Sequence, residues 1–144
     1  MKKPRIQVFG GFRMFVDEQE LPLSGSTSEF LSLLTIAGGG KITAKNDWEI
    51  TKKDFGIKYN AMIYTSHVDE LEEELQFFEI TDILQMGLKP VRFCRLNTVA
   101  VECDYYQMLN GQIPFKRSEE FLPEYEWAHN RFYTTWEELR KAWK

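Results

Sequence analysis

SHVDELEEEL, residues 66–75, is the stretch on which the reading of this chain turns. Val68, Leu71 and Leu75 recur at intervals of three and four. The same spacing reaches back to Tyr64 and forward to Phe78, so one apolar stripe runs along a long amphipathic helix expected over roughly Tyr59–Phe78. The intervening positions are acidic: Asp69, Glu70, Glu72, Glu73 and Glu74, with no Lys or Arg between Tyr59 and Leu88. The stripe demands a packing partner. The charge sets the functional question, because an acidic helix surface fits a solvated face, a surface for a specific partner, or an unusual mode of DNA reading.

The flanking sequence supplies that packing partner. IQVF (6–9) and FRMFV (12–16) are short runs of strand-forming residues around Gly10-Gly11, a hairpin pattern. DEQE (17–20) breaks the run, and LPL (21–23) restores a brief extended piece confined to an edge by Pro22. In STSEFLSLLTIAGGG the period changes. Ser26 and Glu29 have capping-box spacing, Phe30, Leu31 and Leu34 share a helical face, and Gly38 to Gly40 end the helix. Thr43 is placed to cap a second helix through Ala44 to Ile50, with Trp48 as its buried anchor. After the long helix, ILQM (83–86), VRFCRL (91–96) and VAVEC (99–103) read as strands. Asp104 is placed to cap a short helix with Tyr105, Tyr106 and Leu109, and a last amphipathic helix carries Tyr125, Ala128, Phe132, Trp136, Leu139 and Trp143.

The chain has 144 residues, 43% of them hydrophobic and 15% aromatic, enough for one core and far from the composition of a disordered segment. Its formal net charge of -4 disfavours non-specific attraction to DNA or anionic lipid unless basic residues cluster locally. Cys94 and Cys103 are too few for a disulfide framework and read as reduced, near-core thiols. The sequence contains no secretory pattern and no apolar run of about 18 residues, so a cytoplasmic location is expected. The opening MKKPRIQVF is compatible with a start that replaces an upstream domain.

The chain carries no established catalytic or metal-binding signature. GGGKIT (38–43) lacks the spacing of a phosphate-binding loop and follows a helix, so it reads as helix termination. His67 and His129 belong to no metal-ligand series, and neither Cys lies in C-x-x-C. Glu70 and Glu74 have a spacing common on exposed helix faces. The expectation is no enzyme, no cofactor and no metal.

A sheet, three helices and a hairpin, in that order, form a winged-helix arrangement, whose third helix commonly enters the DNA major groove. The chain resembles the output domains of OmpR/PhoB-type response regulators, and more closely the SARP-like regulators, in which the winged helix leads into a helical bacterial transcriptional activation domain. IQVFGGFRMFVDEQELPL looks like their opening sheet and SEFLSLLTIAGG like their first helix. CDYYQMLNG and EYEWAHNRF look like the junction and first helix of the appendage. HVDELEEEL keeps His67, Val68, Leu71 and Leu75 of the family's hydrophobic-basic series H-I-x-R-L-R-x-x-L but replaces its basic side with carboxylates.

The expected architecture is therefore α+β: a winged-helix domain over 1–103 and a helical appendage over 104–144, packed on it or serving as an interface. The resemblance implies a transcription-regulator output domain. The acidic helix turns that expectation toward association with protein, either a partner or a second copy, through Asp69, Glu70, Glu73, Tyr125, Trp136 and Trp143. The alternative is promoter DNA held by phosphate contacts from Lys45, Lys52 and Lys53 near the second helix and Lys89, Arg92 and Arg95 around the wing. No membrane and no small-molecule substrate is implied.

Overall fold

The computed structural model describes residues 3–43, 61–89, 92–117, 120–125 and 128. The expected second helix with Trp48, and Phe132, Trp136, Leu139 and Trp143 of the last helix, lie outside the described residues.

Strands β1 (Arg5–Gln7) and β2 (Arg13–Val16) pair antiparallel with Ile6 opposite Met14. Gly10 and Gly11 turn the chain between them at φ +83° and +116°, values that side-chain-bearing residues rarely adopt. The next turn differs from the sequence expectation. Asp17 and Glu18 alone reverse the chain, both at positive φ, and Gln19–Glu20 already pairs with β2 as strand β3, while LPL forms no strand. A two-residue turn with both central φ positive matches the twist of its flanking strands, and this outweighs the weak strand preference of Gln and Glu.

Helix α1 spans Gly25–Ile36. Its N-cap is Ser24, whose Oγ accepts the Thr27 N–H at 3.2 Å, two residues before the position that the Ser26/Glu29 spacing suggested. The cap moves because carboxylates from a distant helix converge on Ser24. Gly38 and Gly39, at positive φ, end the helix as expected. Helix α2 spans Ala61–Phe77 and buries Tyr64, Val68, Leu71 and Leu75, with Phe78 half-buried beyond it. Phe30 of α1 meets Tyr64 edge-on with ring centroids 5.8 Å apart.

Strands β4 (Leu84–Gly87) and β5 (Phe93–Leu96) form an antiparallel hairpin, and Ile42 bridges Cys94 on the free side of β5. The Tyr64 hydroxyl donates to the Ile42 carbonyl at 2.6 Å, tying α2 to this small sheet. VAVEC is not one strand. Thr98–Ala100 is a 3-10 turn with Val99 74% exposed, and only Glu102–Cys103 is extended, as β6. Strand β6 pairs parallel with β1, giving a four-stranded sheet in the order β3-β2-β1-β6.

Helix α3, Asp104–Leu109, follows with Cys103 as its N-cap. Asp104 caps less than it staples. Its carboxylate accepts the Val8 N–H at 2.9 Å and the Phe9 N–H at 3.2 Å, besides that of Tyr105 at 2.8 Å, and so locks α3 to the strand end. Burial pushes this carboxyl above its ordinary range, while those N–H donors hold it down. Glu124 accepts the Phe12 N–H at 2.8 Å, and the Leu122 N–H donates to the Val8 carbonyl at 3.0 Å. Met108, Phe121 and Leu122 thereby join Ile6, Met14, Leu31, Leu34, Leu71 and Leu96 in one core of an α+β fold. Among the described residues, no helix is long and apolar enough to cross a membrane.

Candidate functional site

The five carboxylates of SHVDELEEEL divide among three sides of α2. With about 100° between successive helical residues, the buried stripe faces one way, positions 70 and 74 fall on one flank, 72 on the other, and 69, 73 and 77 face outward. The first flank meets the start of α1. Glu74 accepts the Ser24 N–H at 2.7 Å and the Ser24 hydroxyl at 2.8 Å, and also the Thr27 hydroxyl. Glu70 accepts from the hydroxyls of Ser24, Ser26 and Thr27. Carboxylates at a helix N-terminus are stabilised by its unpaired N–H groups and dipole. The hydroxyls of Ser24 and Ser26 hold the Glu70 carboxyl below its ordinary range against an opposing, smaller effect of burial. On the other flank, Glu72 borders a small hollow of about 170 Å³ beside Leu75, Ile83 and Met86.

The outward stripe consists of Asp69 and Glu73, both exposed, and Phe77, 80% exposed. Arg92, just before β5, reaches Asp69 with its Nη2 3.0 Å from Oδ1.

The hairpin's basic residues likewise separate. Strand alternation puts Cys94 and Leu96 on the core side and Phe93 and Arg95 on the outer face. Since Ile42 is buried opposite Cys94, Lys41 belongs to that outer face, and its ammonium lies 4.4 Å from the Phe93 ring centroid. Phe93 lies flat across Gly87, where an added Cβ would come within 2.4 Å of the ring. The Nε of Arg95 donates to the Gln85 Oε1 at 2.6 Å, and Lys89 is exposed at the hairpin end next to Leu88, which is 75% exposed.

Of the basic residues singled out in the sequence, then, Arg92 turns toward α2, Arg95 turns away from it, and Lys89 stands at the tip. Lys45, Lys52 and Lys53 lie outside the described residues. Of the acidic and aromatic set, Asp69 and Glu73 share the outward stripe, Glu70 is taken up at the start of α1, and Trp136 and Trp143 lie outside the described residues. Tyr125 is half-buried against the core, and burial raises its hydroxyl to about 12. Sequence reasoning missed Phe77 and Leu88, and it grouped Lys41 with the lysines around the second helix, whereas Lys41 lies on the outer face of the small sheet. Phe77 follows Glu73 by four residues, and that spacing was the available signal.

A larger cleft of about 640 Å³ opens between the end of α1, the 3-10 turn and α3, bordered by Ile36, Val99, Glu102, Tyr106 and Leu109. Its Cys103 is buried, which raises the thiol to about 12, so the thiolate required of a nucleophile is scarce at neutral pH. Among the described residues, no three His, Cys, Asp or Glu side chains converge as a metal site. No protein-family model, curated protein or solved structure matches the chain.

Proposed function

We propose that this chain is a transcription-regulator output domain of winged-helix type that acts mainly through association with protein. The element order supports the winged-helix reading: a small sheet, α1, a long α2 packed on it, and a hairpin whose strand β5 rests on α1. The observation that carries the functional reading is the Arg92–Asp69 pair. Arg92 of the hairpin meets a carboxylate of the same chain in a surface ion pair, and the outward stripe beside it offers Glu73 and Phe77. Such a surface opposes the phosphate neutralisation from which DNA affinity derives. It suits a protein, because interfaces combine an aromatic anchor with a charged rim. Direct promoter binding through the wing keeps one observation in its favour, the outward position of Lys89 and Arg95.

The test measures fluorescence anisotropy of mixed-sequence duplex DNA at about 50 mM salt, where non-specific phosphate contacts are strong. The native chain should not bind. Asp69→Asn/Glu73→Gln should bind more tightly than the native chain, with a gain that shrinks as salt screens the charges. Glu70 and Glu74 are left intact because they hold α1. Tight, salt-dependent native binding that is abolished by changing Lys89, Arg92 and Arg95 would overturn the reading.

A further inference from the structure

We infer that the partner of the outward α2 stripe is the outer face of the small sheet on a second copy of this chain. This rests on the protein-association reading and specifies it. The two faces differ in sign. On α2, Asp69 and Glu73 precede, on the same outward stripe, the most exposed large apolar side chain among the described residues, Phe77. On the outer sheet face and hairpin tip, Lys41, Lys89 and Arg95 accompany the next most exposed, Leu88.

Within one chain these faces cannot meet. The sheet packs its other side, with Ile42, Cys94 and Leu96, toward α1 and α2, so its own thickness separates Lys41 and Arg95 from the carboxylates of α2. Among the described residues, Arg92 reaches Asp69, from the core-side parity of β5. The cations are also held in place. Lys41 is stacked on Phe93, which Gly87 lets lie flat, and Arg95 is anchored through Nε to Gln85. An acidic partner from outside would find this sheet face too. A second copy is favoured because one chain carries both halves, each with opposite charges beside an exposed apolar side chain. Opposite potentials fix the register of such a contact, and Phe77 and Leu88 supply the apolar area that charges alone lack.

Sedimentation velocity on the full chain tests this. The measurement needs chain concentrations up to about 0.5 mM, since a small contact with a charged rim falls among weak interfaces. The weight-average mass should rise with concentration at about 50 mM salt and fall back toward one chain at about 500 mM, where the screening length shrinks to a few ångströms. Glu73→Lys and Arg95→Glu, each alone, should weaken association at least tenfold. Their 1:1 mixture should recover it, because the acidic helix of the second variant then faces the basic sheet of the first. Phe77→Ser should weaken association without removing its salt dependence. A native chain that stays monomeric throughout, or a mixture no more associated than its components, overturns the inference. A monomer that also ignores DNA leaves association with a different protein standing, whereas tight DNA binding defeats the broader reading whatever the mass.

Discussion

Replacing Glu74 by Ala should destabilise the fold by about 2 kcal/mol, while the same change at its neighbour Glu73 should stay within about 0.5 kcal/mol, as is usual for an exposed surface position. The difference follows from three bonds. Glu74 accepts from the Ser24 N–H, the Ser24 hydroxyl and the Thr27 hydroxyl, and Thr27 is buried. Without Glu74, the N-cap of α1 loses an acceptor, typically worth about 1 kcal/mol. The buried Thr27 hydroxyl also loses one of its two carboxylate partners, a loss of about 1–3 kcal/mol if it is left unsatisfied. Glu70 accepts from Thr27 at 3.2 Å and recovers part of this, and the exposure of Ser24 brings water in as a substitute, which keeps the sum near the lower end. Equilibrium urea unfolding of the two variants and the native chain measures it. The pH dependence adds a second arm. The folded-state carboxyl of Glu70 is held below its unfolded value, so its contribution is fully present above the unfolded value and is lost as pH falls through the folded one. Glu70→Gln should therefore narrow its deficit against the native chain as the solution is acidified. Equal midpoints for the Glu73 and Glu74 variants would refute the placement of these carboxylates, and with it the division of the acidic helix into a flank that holds α1 and a stripe that faces outward.

Leu71→Ala removes a fully buried side chain where α2 packs on α1 and should destabilise by about 2–5 kcal/mol in urea unfolding. Gly87→Ala pushes a methyl group into the Phe93 ring; the ring must swing away from Lys41, and a loss of about 1–3 kcal/mol is expected in the same assay. Cys94 and Cys103, both buried with thiols raised to about 12, should react with a thiol-specific disulfide reagent at pH 8 only at the rate of unfolding, and at once in denaturant.

The periodic elements were legible because period reports burial. Tyr64, Val68, Leu71 and Leu75 declared the inner face of α2, and Phe30, Leu31 and Leu34 that of α1, before any neighbour was known. What could not be read were features decided between distant segments. Ser26 and Glu29 have the spacing of a local cap, yet the cap is Ser24, since Glu70 and Glu74 arrive from more than forty residues away. VAVEC has the composition of a strand, but only its last two residues find an edge to pair with, that of β1, and Val99 is left in solvent. Asp104 carries a local helix-start signal, and its carboxylate also accepts the N–H groups of Val8 and Phe9, just past the end of β1 and 96 and 95 residues earlier.

The candidate surface shows the same limit more sharply. A run such as DELEEE has one charge composition but three destinations, because each successive residue turns about 100° around the helix. Periodicity identifies which side of α2 is buried, yet it cannot say what stands beside the other sides. Here the start of α1 takes Glu70 and Glu74, a hollow by the β4 strand takes Glu72, and Arg92 takes part of Asp69. The same holds for the cations of VRFCRL, which strand alternation sends to opposite faces of the sheet: Arg92 pairs with Asp69 of the helix while Arg95 lies on the other face. Net charge along the sequence thus overstates the repulsion that α2 offers to DNA. The decisive quantity is the smaller local field of Asp69 and Glu73 around Phe77, which can be altered by two neutral substitutions without disturbing the carboxylates that hold α1.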